Sequence, residues 1–485
     1  MDYQPTIGME IHAELKTKSK MFCSCPNGQG LEGEPNIHIC PVCTAQPGAL
    51  PVINKRAVEM VIAAGRALGC RINENTKFDR KNYSYPDLPK GYQISQYDQP
   101  LTEKGFLQVG DKKIGITRIH LEEDTGKSIH PKKADYSLVD LNRSGVPLME
   151  LVTEPEITSG EEAKEFCREL QRILRYLEIS DADMEKGQMR CEVNVSVSKD
   201  SKLGTKVEVK NLNSFKAVEK AIDFEIARQA EALEFGEKIV QETRGWDEAK
   251  QATVSQRVKE EAHDYRYFPE PDLPPLRLVK NSGLRIDGES VELPEEKRTR
   301  FKEEFSLTFE RAKTLVNDKE TAGFFEEVVS EMDSWAQDKY QQEDKTKLVK
   351  LAVNYLLVEI PKILRKHKES FANLKITPEN FAELMCLINS GAVNSSAAQI
   401  VLAQMQATGG DPGQIIEERG LNQIGEGAAL EQAIEKIVEA NPKAIEDYKK
   451  GKGNSAQFLL GQIMKETKGA ANPQIALEII KKKLS

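Results

Sequence analysis

Alternating apolar and polar positions mark the first segment of the chain. Within residues 6–15 the apolar side chains occupy odd positions and the small or polar ones occupy even positions, which predicts a β-strand with one buried face. On its polar face this strand carries Glu10 and His12 side by side. An ordinary half-buried strand with a solvated face explains the pattern equally well, so the pair alone assigns no function.

The same alternation returns in residues 190–198 and 205–212, and the short segment between them predicts a β-hairpin. One face of this hairpin is apolar. The other face mixes acids, an amide and bases, namely Arg190, Glu192, Asn194, Lys206, Glu208 and Lys210. Two interpretations stay open for that face: solvated cross-strand ion pairs, or a floor that holds a metal ion and a triphosphate.

Two further strand-like segments add candidate metal ligands. The apolar-rich run 114–121 predicts a strand and leads into three consecutive acids at positions 122–124. Adjacent carboxylates repel one another, so a folded chain tolerates them best in water or around a cation. Glu150 lies inside the apolar run 148–152, where a carboxylate is costly unless it is paired or bound to a metal. A solvated acidic turn remains the alternative for the three acids, and Glu150 is the better ligand candidate.

The C-terminal part of the chain has the spacing of helices instead. Residues 293–295, Leu-Pro-Glu, indicate a boundary, and helices are predicted at 348–364 and 394–406. Residues 407–413 are rich in glycine and predict a linker before a last helical unit. The pattern therefore predicts strands and helices in the first part and helices alone in the second.

The composition favours a water-soluble protein. Charged residues make up 30% of the 485 residues, and the mean hydropathy is −0.52. No apolar run approaches the length of a membrane span, and the first residues do not resemble a signal peptide, so we expect a cytoplasmic protein. The formal net charge of −9 argues against indiscriminate nucleic-acid binding but permits a local basic surface.

Four of the eight cysteines form a metal-ligand pattern, Cys-x-Cys followed by Cys-x-x-Cys. They are Cys23, Cys25, Cys40 and Cys43. Four thiolates on two tight turns match a tetrahedral structural zinc site without an open position. Four unlinked thiols, which a reducing cytosol permits, are the alternative. We predict a structural zinc ion in the loop 23–43.

Residues 78–99 interleave aromatic side chains with Arg80, Lys81 and Lys90 in a Pro-rich segment that predicts a loop. Such a mixture suits stacking on bases and contact with phosphates, although a Tyr-rich loop packed on the fold is equally consistent. The chain contains no Walker loop, dinucleotide-binding glycine pattern or nucleophile elbow. A bound nucleotide would therefore contact acids, metal and the polar sheet face.

Seven motifs spread over nearly the whole chain carry a family resemblance. They read IGMEIH at 7–12, FDRKNY at 78–83, YQISQ at 92–96, HLEED at 120–124, SLVDLNR at 137–143, DYRYFPEPD at 264–272 and GKGNSAQFLLGQ at 451–462. Together they resemble the B subunit of the bacterial aspartyl/glutamyl-tRNA(Asn/Gln) amidotransferases.

The resemblance implies a heterotrimeric carbon–nitrogen ligase with glutamine as the amide donor, in which this chain is the kinase and transamidase. In that family a glutaminase (amidase) partner hydrolyses glutamine, a small third partner holds the other two together, and ammonia travels through a channel to the kinase. There ATP phosphorylates the side-chain carboxylate of Glu mischarged on tRNA(Gln) or of Asp mischarged on tRNA(Asn). Ammonia displaces the phosphate to give the amide. In-line phosphoryl transfer needs Mg²⁺ to neutralise the phosphates.

The resemblance also implies a fold and site residues. The fold is α+β: a cradle-like mixed α/β catalytic domain with an antiparallel sheet over 1–292, a helical domain over 293–406 and a helical tRNA-binding tail over 407–485. By motif match, the catalytic, magnesium-binding group comprises Glu10, His12, Glu123 and Glu150. Weaker candidates for ATP contacts are Glu192, Asn194 and Lys210. The four cysteines are not shared by every family member, which agrees with a structural role for the zinc ion.

The charge of the tail supports a tRNA contact. Between Lys443 and Ser485 there are nine lysines and four acids, in a chain that is acidic overall. A solvated lysine-rich terminus is the alternative. Helical spacing in this segment predicts that Phe458, Leu459, Ile463 and Met464 pack in a core.

Two other functions stay open on the sequence alone. The first is a metal-dependent hydrolase that uses the same acids, and ADP formation that depends on mischarged tRNA would argue against it. The second is a non-catalytic tRNA-binding scaffold, which predicts intact catalysis after replacement of Glu123 or His12.

Overall fold

The computed structural model describes residues 3–28, 33–131, 134–200, 202–258, 265–278, 291–336, 342–421, 428–442, 444–445, 454–466, 471 and 473–484. The chain divides into two compact units, Met1–Leu293 and Pro294–Ser485. Strands and helices occur in the first unit and helices dominate the second, so the predicted α+β class is confirmed. The finer division at 406/407 stays a prediction. Residues 264 and 451–453, which belong to two of the motifs, lie outside the described residues.

Sixteen strands occur in the described part of the first unit. They are β1 Gln4–Glu14, β2 Arg71–Ile72, β3 Asn75–Thr76, β4 Asp79–Asn82, β5 Tyr92–Ser95, β6 Thr102–Val109, β7 Lys112–Glu123, β8 Lys127–Ile129, β9 Leu138–Asp140, β10 Pro147–Thr153, β11 Met189–Ser198, β12 Val207–Leu212, β13 Glu242–Asp247, β14 Ala252–Val258, β15 Phe268–Pro269 and β16 Leu276–Arg277. Nine form one sheet in the order β14-β13-β12-β11-β1-β10-β7-β6-β2.

The strand predicted first, β1, lies in the middle of this large sheet. It pairs antiparallel with β10 on one side and with β11 on the other. The predicted alternation holds, since Ile7 and Ile11 are fully buried while Glu10 and His12 are half-buried on the opposite face. The predicted hairpin is also present as β11 and β12.

Three helices cover the apolar face of the sheet: α1 Lys55–Ala67, α2 Gly160–Tyr176 and α3 Phe215–Glu234. Each begins after a residue whose side chain accepts a hydrogen bond from a backbone N–H of the first turn, and these N-caps are Asn54, Ser159 and Ser214. Because the helices and the apolar strand residues bury one another, the polar strand residues are left on the opposite face.

The segment 78–99, predicted as a loop, contains the strands β4 and β5 instead. They form a small sheet with β15 in the order β15-β4-β5. β15 lies far along the chain, so the pairing leaves no periodic signal in the local sequence. A two-stranded or three-stranded ribbon of this size depends on packing against the rest of the fold.

The second unit consists of helices in its described part. They are α4 Pro294–Glu304, α5 Phe309–Val316, α6 Lys319–Ala336, α7 Gln342–Asn354, α8 Ile360–His367, α9 Pro378–Asn389, α10 Ser395–Thr408, α11 Pro412–Arg419, α12 Ala428–Ala440, α13 Asn454–Glu466 and α14 Pro473–Leu484. A π-helical turn, Tyr355–Glu359, separates α7 from α8 and divides the helix predicted at 348–364. Pro361 explains the break, because it has no N–H to donate to the preceding turn.

The tail has an apolar cluster of its own, formed by α12, α13 and α14. Leu459 and Ile463 are fully buried there and Met464 packs against them, as predicted. Phe458 is 50% exposed, so the prediction that it packs in this core was wrong. Successive helical residues point about 100° apart, and burial of Leu459 turns Phe458 toward solvent.

Among the described helices, none combines the length and the apolar character that a membrane crossing needs.

Candidate active site

Three neighbouring strands place one polar residue each in a row across the sheet. His12 of β1 lies opposite Glu150 of β10, and Glu150 lies opposite His120 of β7. Residues directly opposite one another in paired strands project from the same face. The Nε2 atoms of His12 and His120 are 3.4 Å and 3.3 Å from Oε2 of Glu150. Glu150 is therefore the centre of the row.

Residues two positions away on the same strands complete two overlapping groups, because alternation returns them to the same face. In each group the ligand atoms lie within 4.8 Å of one another; the groups are Glu10, His12 and Glu150, and His120, Glu122 and Glu150. Carboxylate oxygens are the ligands that magnesium prefers, and imidazole is a general ligand of divalent metals. Nδ1 of His120 is buried without a hydrogen-bond partner in the described residues, whereas Nε2 of the same ring contacts Glu150. The donor set fits divalent cations, with Glu150 shared between two positions.

Glu123 belongs to neither of these groups. Successive strand residues point to opposite faces, so Glu122 faces the cluster while Glu123 faces away from it. The Glu123 carboxylate accepts a 2.9 Å hydrogen bond from the backbone N–H of Ile94 and pairs with Lys90 at 2.6 Å. Of the predicted magnesium ligands, the structure brings Glu10, His12 and Glu150 together, and the acid of the run 122–124 that lies beside them is Glu122, not Glu123.

The charges of the cluster perturb one another. Burial, together with the charge of Glu150, raises the pKa of Glu10 to about 7. Burial opposes protonation of His12, but hydrogen bonds to Glu122 and Glu150 hold its pKa well above the usual value. Burial likewise opposes ionisation of Glu150, yet the charge of His120 and the hydrogen bond from His12 hold its pKa well below the usual range. An imidazolium therefore neutralises part of the acidic charge, a role that a bound cation can take over.

A lysine of the small sheet faces the same cluster. Burial disfavours the charge of Lys81, but attraction to Glu122, Tyr267 and Glu150 raises its pKa above the usual value. Its Nζ lies 5.1 Å from the centroid of the Tyr265 ring. Lys81 thus brings a positive charge and aromatic neighbours to the edge of the acidic cluster.

The other two bases of the predicted phosphate-binding segment have protein partners. The guanidinium of Arg80 donates two 2.8 Å hydrogen bonds to Glu270 and lies 4.1 Å from the centroid of the Tyr92 ring. Lys90 pairs with Glu123. These contacts connect β4 with the residue that follows β15, and the segment that precedes β5 with the end of β7, and so they help to hold the small sheet in place.

The three candidates for ATP contacts lie beside the cluster. Glu192 is opposite Glu10 in the pairing of β1 with β11, and Nζ of Lys210 is 2.6 Å from the Glu192 carboxylate. Oδ1 of Asn194 is buried without a hydrogen-bond partner in the described residues. All three occur on the polar face that also carries Glu10 and His12, so the structure brings the two predicted groups together.

The four cysteines of the loop 23–43 converge as predicted, with all four Sγ atoms within 4.8 Å of one another. Sγ of Cys43 lies 4.0 Å from Sγ of Cys25 and 3.8 Å from Sγ of Cys40. Four sulfurs at the usual zinc distance occupy a tetrahedron with edges of about 3.8 Å. A hydrogen bond from Cys23 lowers the pKa of Cys43 to about 4. The spacing and the ionised thiol fit a four-coordinate metal ion.

Sequence reasoning missed His120 and Glu122 as members of the cluster, although a local signal was present. Leu121, between them, is apolar and fully buried. With a period of two, Leu121 shares its face with Glu123, and His120 shares the opposite face with Glu122. The position of the apolar Leu121 in the alternation was therefore enough to place Glu122, and not Glu123, on the polar face.

Comparison with known proteins gives matches over nearly the whole chain. The family model described as the GatB/GatE catalytic domain matches residues 5–282, and the model described as the GatB domain matches residues 338–484. A protein of Thermoanaerobacter pseudethanolicus is 47% identical, with 100% of both chains covered. Proteins of Caldicellulosiruptor saccharolyticus and Thermotoga maritima are 48% and 46% identical, each with 100% of this chain and 99% of the other covered. All three are named as the B subunit of aspartyl/glutamyl-tRNA(Asn/Gln) amidotransferase.

Proposed function

The chain belongs to the GatB/GatE family, and from this membership we propose that it amidates Glu-tRNA(Gln), Asp-tRNA(Asn) or both with ATP, as one member of an amidotransferase complex. The observation that carries the proposal is the pair of side-chain groups, each close enough to hold a metal ion, that share Glu150 on one face of the large sheet. The reaction is a carbon–nitrogen ligation in which the aminoacyl side chain is first phosphorylated.

The chemistry explains why such a site is needed. One oxygen of the side-chain carboxylate attacks the γ-phosphorus of ATP, the bond to the bridging oxygen breaks, and ADP leaves. Ammonia then attacks the acyl carbon and the bond from that carbon to the phosphate oxygen breaks. Loss of a proton from nitrogen leaves the amide and inorganic phosphate. Negative charge on phosphate oxygens must be stabilised in both steps.

We assign the cation ligands to the five residues of the two groups, Glu10, His12, His120, Glu122 and Glu150. Divalent cations, when bound, neutralise the charge of the transferred phosphoryl group and hold it in line. Lys81 supplies a fixed positive charge on the side of the small sheet. On the side of β11 and β12, Glu192, Asn194 and Lys210 are proposed to contact ATP. The catalytic role that sequence reasoning assigned to Glu123 is proposed for Glu122 instead, because Glu122 is the acid that faces the other ligands.

Ammonia is proposed to come from a separate glutaminase (amidase) partner, and a small third partner is proposed to complete the heterotrimer. Glutamine hydrolysis needs an activated nucleophile. Outside the loop 23–43, Cys167 and Cys191 lie fully buried against each other, with 3.6 Å between their sulfurs. Burial raises the pKa of the Cys70 thiol to about 11. We therefore expect the isolated chain to use ammonium but not glutamine.

Two further parts of the chain have proposed roles in the same function. The four-cysteine cluster is proposed to hold a structural zinc ion that stabilises the loop 23–43. The tail is proposed to bind the tRNA by charge, since α14 ends in Lys481, Lys482 and Lys483.

The test uses the full-length chain assembled with its glutaminase and small partners. Mischarged tRNA(Gln) and tRNA(Asn) are supplied with ATP, Mg²⁺ and either glutamine or ammonium, and ADP and amidated tRNA are measured together. We expect ADP to form only with mischarged tRNA and in step with the amide. His12→Ala should abolish both products, while His130→Ala, which changes an exposed histidine, should preserve them.

Two outcomes would replace the proposal. ATP hydrolysis that does not depend on mischarged tRNA would favour a metal-dependent hydrolase. Full amidation by the complex that contains His12→Ala would favour a scaffold without a catalytic role.

A further inference from the structure

A fully buried lysine lies beside the four cysteines. Lys20 has 0% of its surface exposed. Its Nζ donates to the carbonyl oxygens of His38, at 2.8 Å, and Leu141, at 3.3 Å. The same atom lies 3.8 Å from Sγ of Cys43. No step of the proposed reaction uses this residue.

Burial of an ammonium group is costly unless a negative charge lies nearby. Within the described residues, the polar partners of the Lys20 Nζ atom are the two carbonyl oxygens and the Cys43 sulfur, with no carboxylate among them. A carbonyl oxygen satisfies an N–H donor but carries no net charge to oppose the ammonium. The Cys43 sulfur is therefore the group in contact that can carry the opposing charge.

The four-cysteine cluster, when it holds a metal ion, needs additional positive charge nearby. A divalent ion held by four thiolates leaves two excess negative charges, and Cys25 and Cys43 are both buried. One ammonium in contact with a ligand sulfur reduces that excess by half. Cys43 already accepts a 3.1 Å hydrogen bond from the backbone N–H of Cys40, so its sulfur lies between a dipole and a full charge. The Lys20 ammonium thus supplies positive charge to the thiolate cluster, and the Cys43 thiolate supplies negative charge to the buried ammonium.

The surroundings of Lys20 hold it in this position. Leu141, whose carbonyl it contacts, precedes Asn142, which is fully buried. Oδ1 of Asn142 accepts hydrogen bonds from the backbone N–H groups of Ile37 and His38, at 2.9 Å and 3.0 Å. The loop that carries Cys40 and Cys43 is thus anchored twice, by an amide and by an ammonium group.

We propose that Lys20 is the charge-compensating partner of the four-cysteine metal site, acting through the Cys43 thiolate to let the buried cluster retain a zinc ion. It is a positioning residue and touches neither the metal nor the substrates. The inference rests on the proposed zinc binding and deepens it, because it names a residue outside the ligand set that sets the affinity.

Two variants of the full-length, reduced protein separate charge from hydrogen bonding. Lys20→Met removes the ammonium and keeps an unbranched apolar chain. Lys20→Gln keeps N–H donors for the two carbonyl oxygens but carries no charge. Lys18→Met is the matched control, since Lys18 is exposed on the same segment. Zinc affinity is measured by competition with a chromogenic chelator, and cobalt substitution reports the thiolate ligands through sulfur-to-cobalt charge-transfer absorption.

We expect both Lys20 variants to bind zinc about 10–100-fold more weakly than the wild type, the range typical for loss of an outer partner of a metal ligand. Lys18→Met should bind zinc as the wild type does. The cobalt form of Lys20→Gln should still show four thiolate ligands, which checks that the site is folded.

Wild-type zinc affinity in Lys20→Gln would overturn the inference and leave Lys20 as a tether between two carbonyl oxygens. If Lys20→Met fails to fold, Lys20→Gln decides the question alone. Absence of zinc from the wild-type protein would instead overturn the proposed metal site, so the two failures are distinguishable.

Discussion

At the scale of the residue, the site depends on which of two adjacent acids faces the cluster. Glu122 and Glu123 are chemically identical neighbours at the end of β7, yet their environments differ completely. Glu122 lies 3.4 Å from His12, whereas Glu123 is bound by Lys90 and the Ile94 backbone. The alternation of side chains along the strand decides which acid faces the cluster, because rotation about side-chain bonds cannot move a carboxylate to the other face of the sheet.

The first prediction compares these two acids. Glu122→Gln removes a charged ligand from the cluster, so divalent-cation affinity should fall at least about tenfold. Glu123→Gln, the matched control, should leave that affinity nearly unchanged. Mn²⁺ binding to the purified chain, followed by electron paramagnetic resonance, measures both. Equal losses in the two variants would contradict the assignment of faces.

The second prediction concerns pH. In the cation-free protein the hydrogen bonds to Glu122 and Glu150 raise the pKa of His12, so this imidazole is protonated at neutral pH. A metal ligand must be unprotonated, and cation binding therefore displaces the proton. Glu10, with a pKa raised to about 7, releases a further part of a proton for the same reason.

Cation affinity should accordingly rise with pH up to the raised pKa of His12, and binding at neutral pH should release protons. Titration calorimetry of Mg²⁺ in two buffers of different ionisation enthalpy measures the release. His12→Gln should remove most of it. A cation affinity that does not change with pH would show that cation binding does not remove the proton from His12.

At the scale of the element, the small sheet β15-β4-β5 carries Lys81 to the cluster. Its position depends on Arg80, whose guanidinium makes a bidentate contact with the buried Glu270 and a 3.2 Å contact with the more exposed Asp272. The stacking of Tyr97 on Tyr267, with centroids 4.3 Å apart, adds a second connection within this region. An ion pair thus fixes an element that is too short to be stable alone.

The third prediction tests this connection. Arg80→Leu leaves Glu270 buried without its partner and should lower the free energy of unfolding of the first unit by about 3–5 kcal/mol. Asp272→Asn removes only the exposed partner and should cost less than about 1 kcal/mol. Denaturant unfolding followed by far-UV circular dichroism measures both variants. A loss of similar size in the two would show that the bidentate contact is not what holds β15.

At the scale of the whole molecule, charge is distributed unevenly along the chain. The formal net charge is −9, whereas Lys443–Ser485 contains nine lysines and four acids. The apolar cluster of the tail comprises residues of α12, α13 and α14, while α11 packs against α9 and α10. Of the predicted linker 407–413, residues 407–408 end α10 and residues 412–413 begin α11. A cut that removes the tail without exposing the preceding helices therefore belongs after Leu421, which is buried, and not within 407–413.

The fourth prediction follows from that division. The chain that ends at Leu421, assembled with its partners, should have a higher KM for mischarged tRNA and a weaker dependence of KM on salt, because fewer phosphates are neutralised. The rate at saturating tRNA should be preserved, since the cluster lies in the other unit. Steady-state kinetics at several salt concentrations measure KM and its salt dependence. A full-length variant that combines Lys481→Gln, Lys482→Gln and Lys483→Gln is the control for charge alone. Unchanged tRNA affinity after the cut would indicate that the tail is a solvated lysine-rich terminus that does not bind tRNA.

The sequence by itself determined the features that depend on near neighbours along the chain. Alternation predicted β1 with Glu10 and His12 on one face and the hairpin of β11 and β12. The Cys-x-Cys and Cys-x-x-Cys spacing predicted the convergence of two cysteine turns. The motifs indicated the family. These signals are local, because a strand or a tight turn fixes the directions of residues a few positions apart.

Only the tertiary structure decided which distant residues meet. The register of β10 between β1 and β7 brings Glu150 to both His12 and His120. Pairing of β4 with β15 gives Arg80, for which the sequence left phosphate contact and packing open, a bidentate partner in Glu270. Burial of Lys20 beside Cys43 likewise leaves no trace in its local pattern. Strand register and long-range packing are set by the burial of the whole core, and so the partners they bring together follow from no single segment.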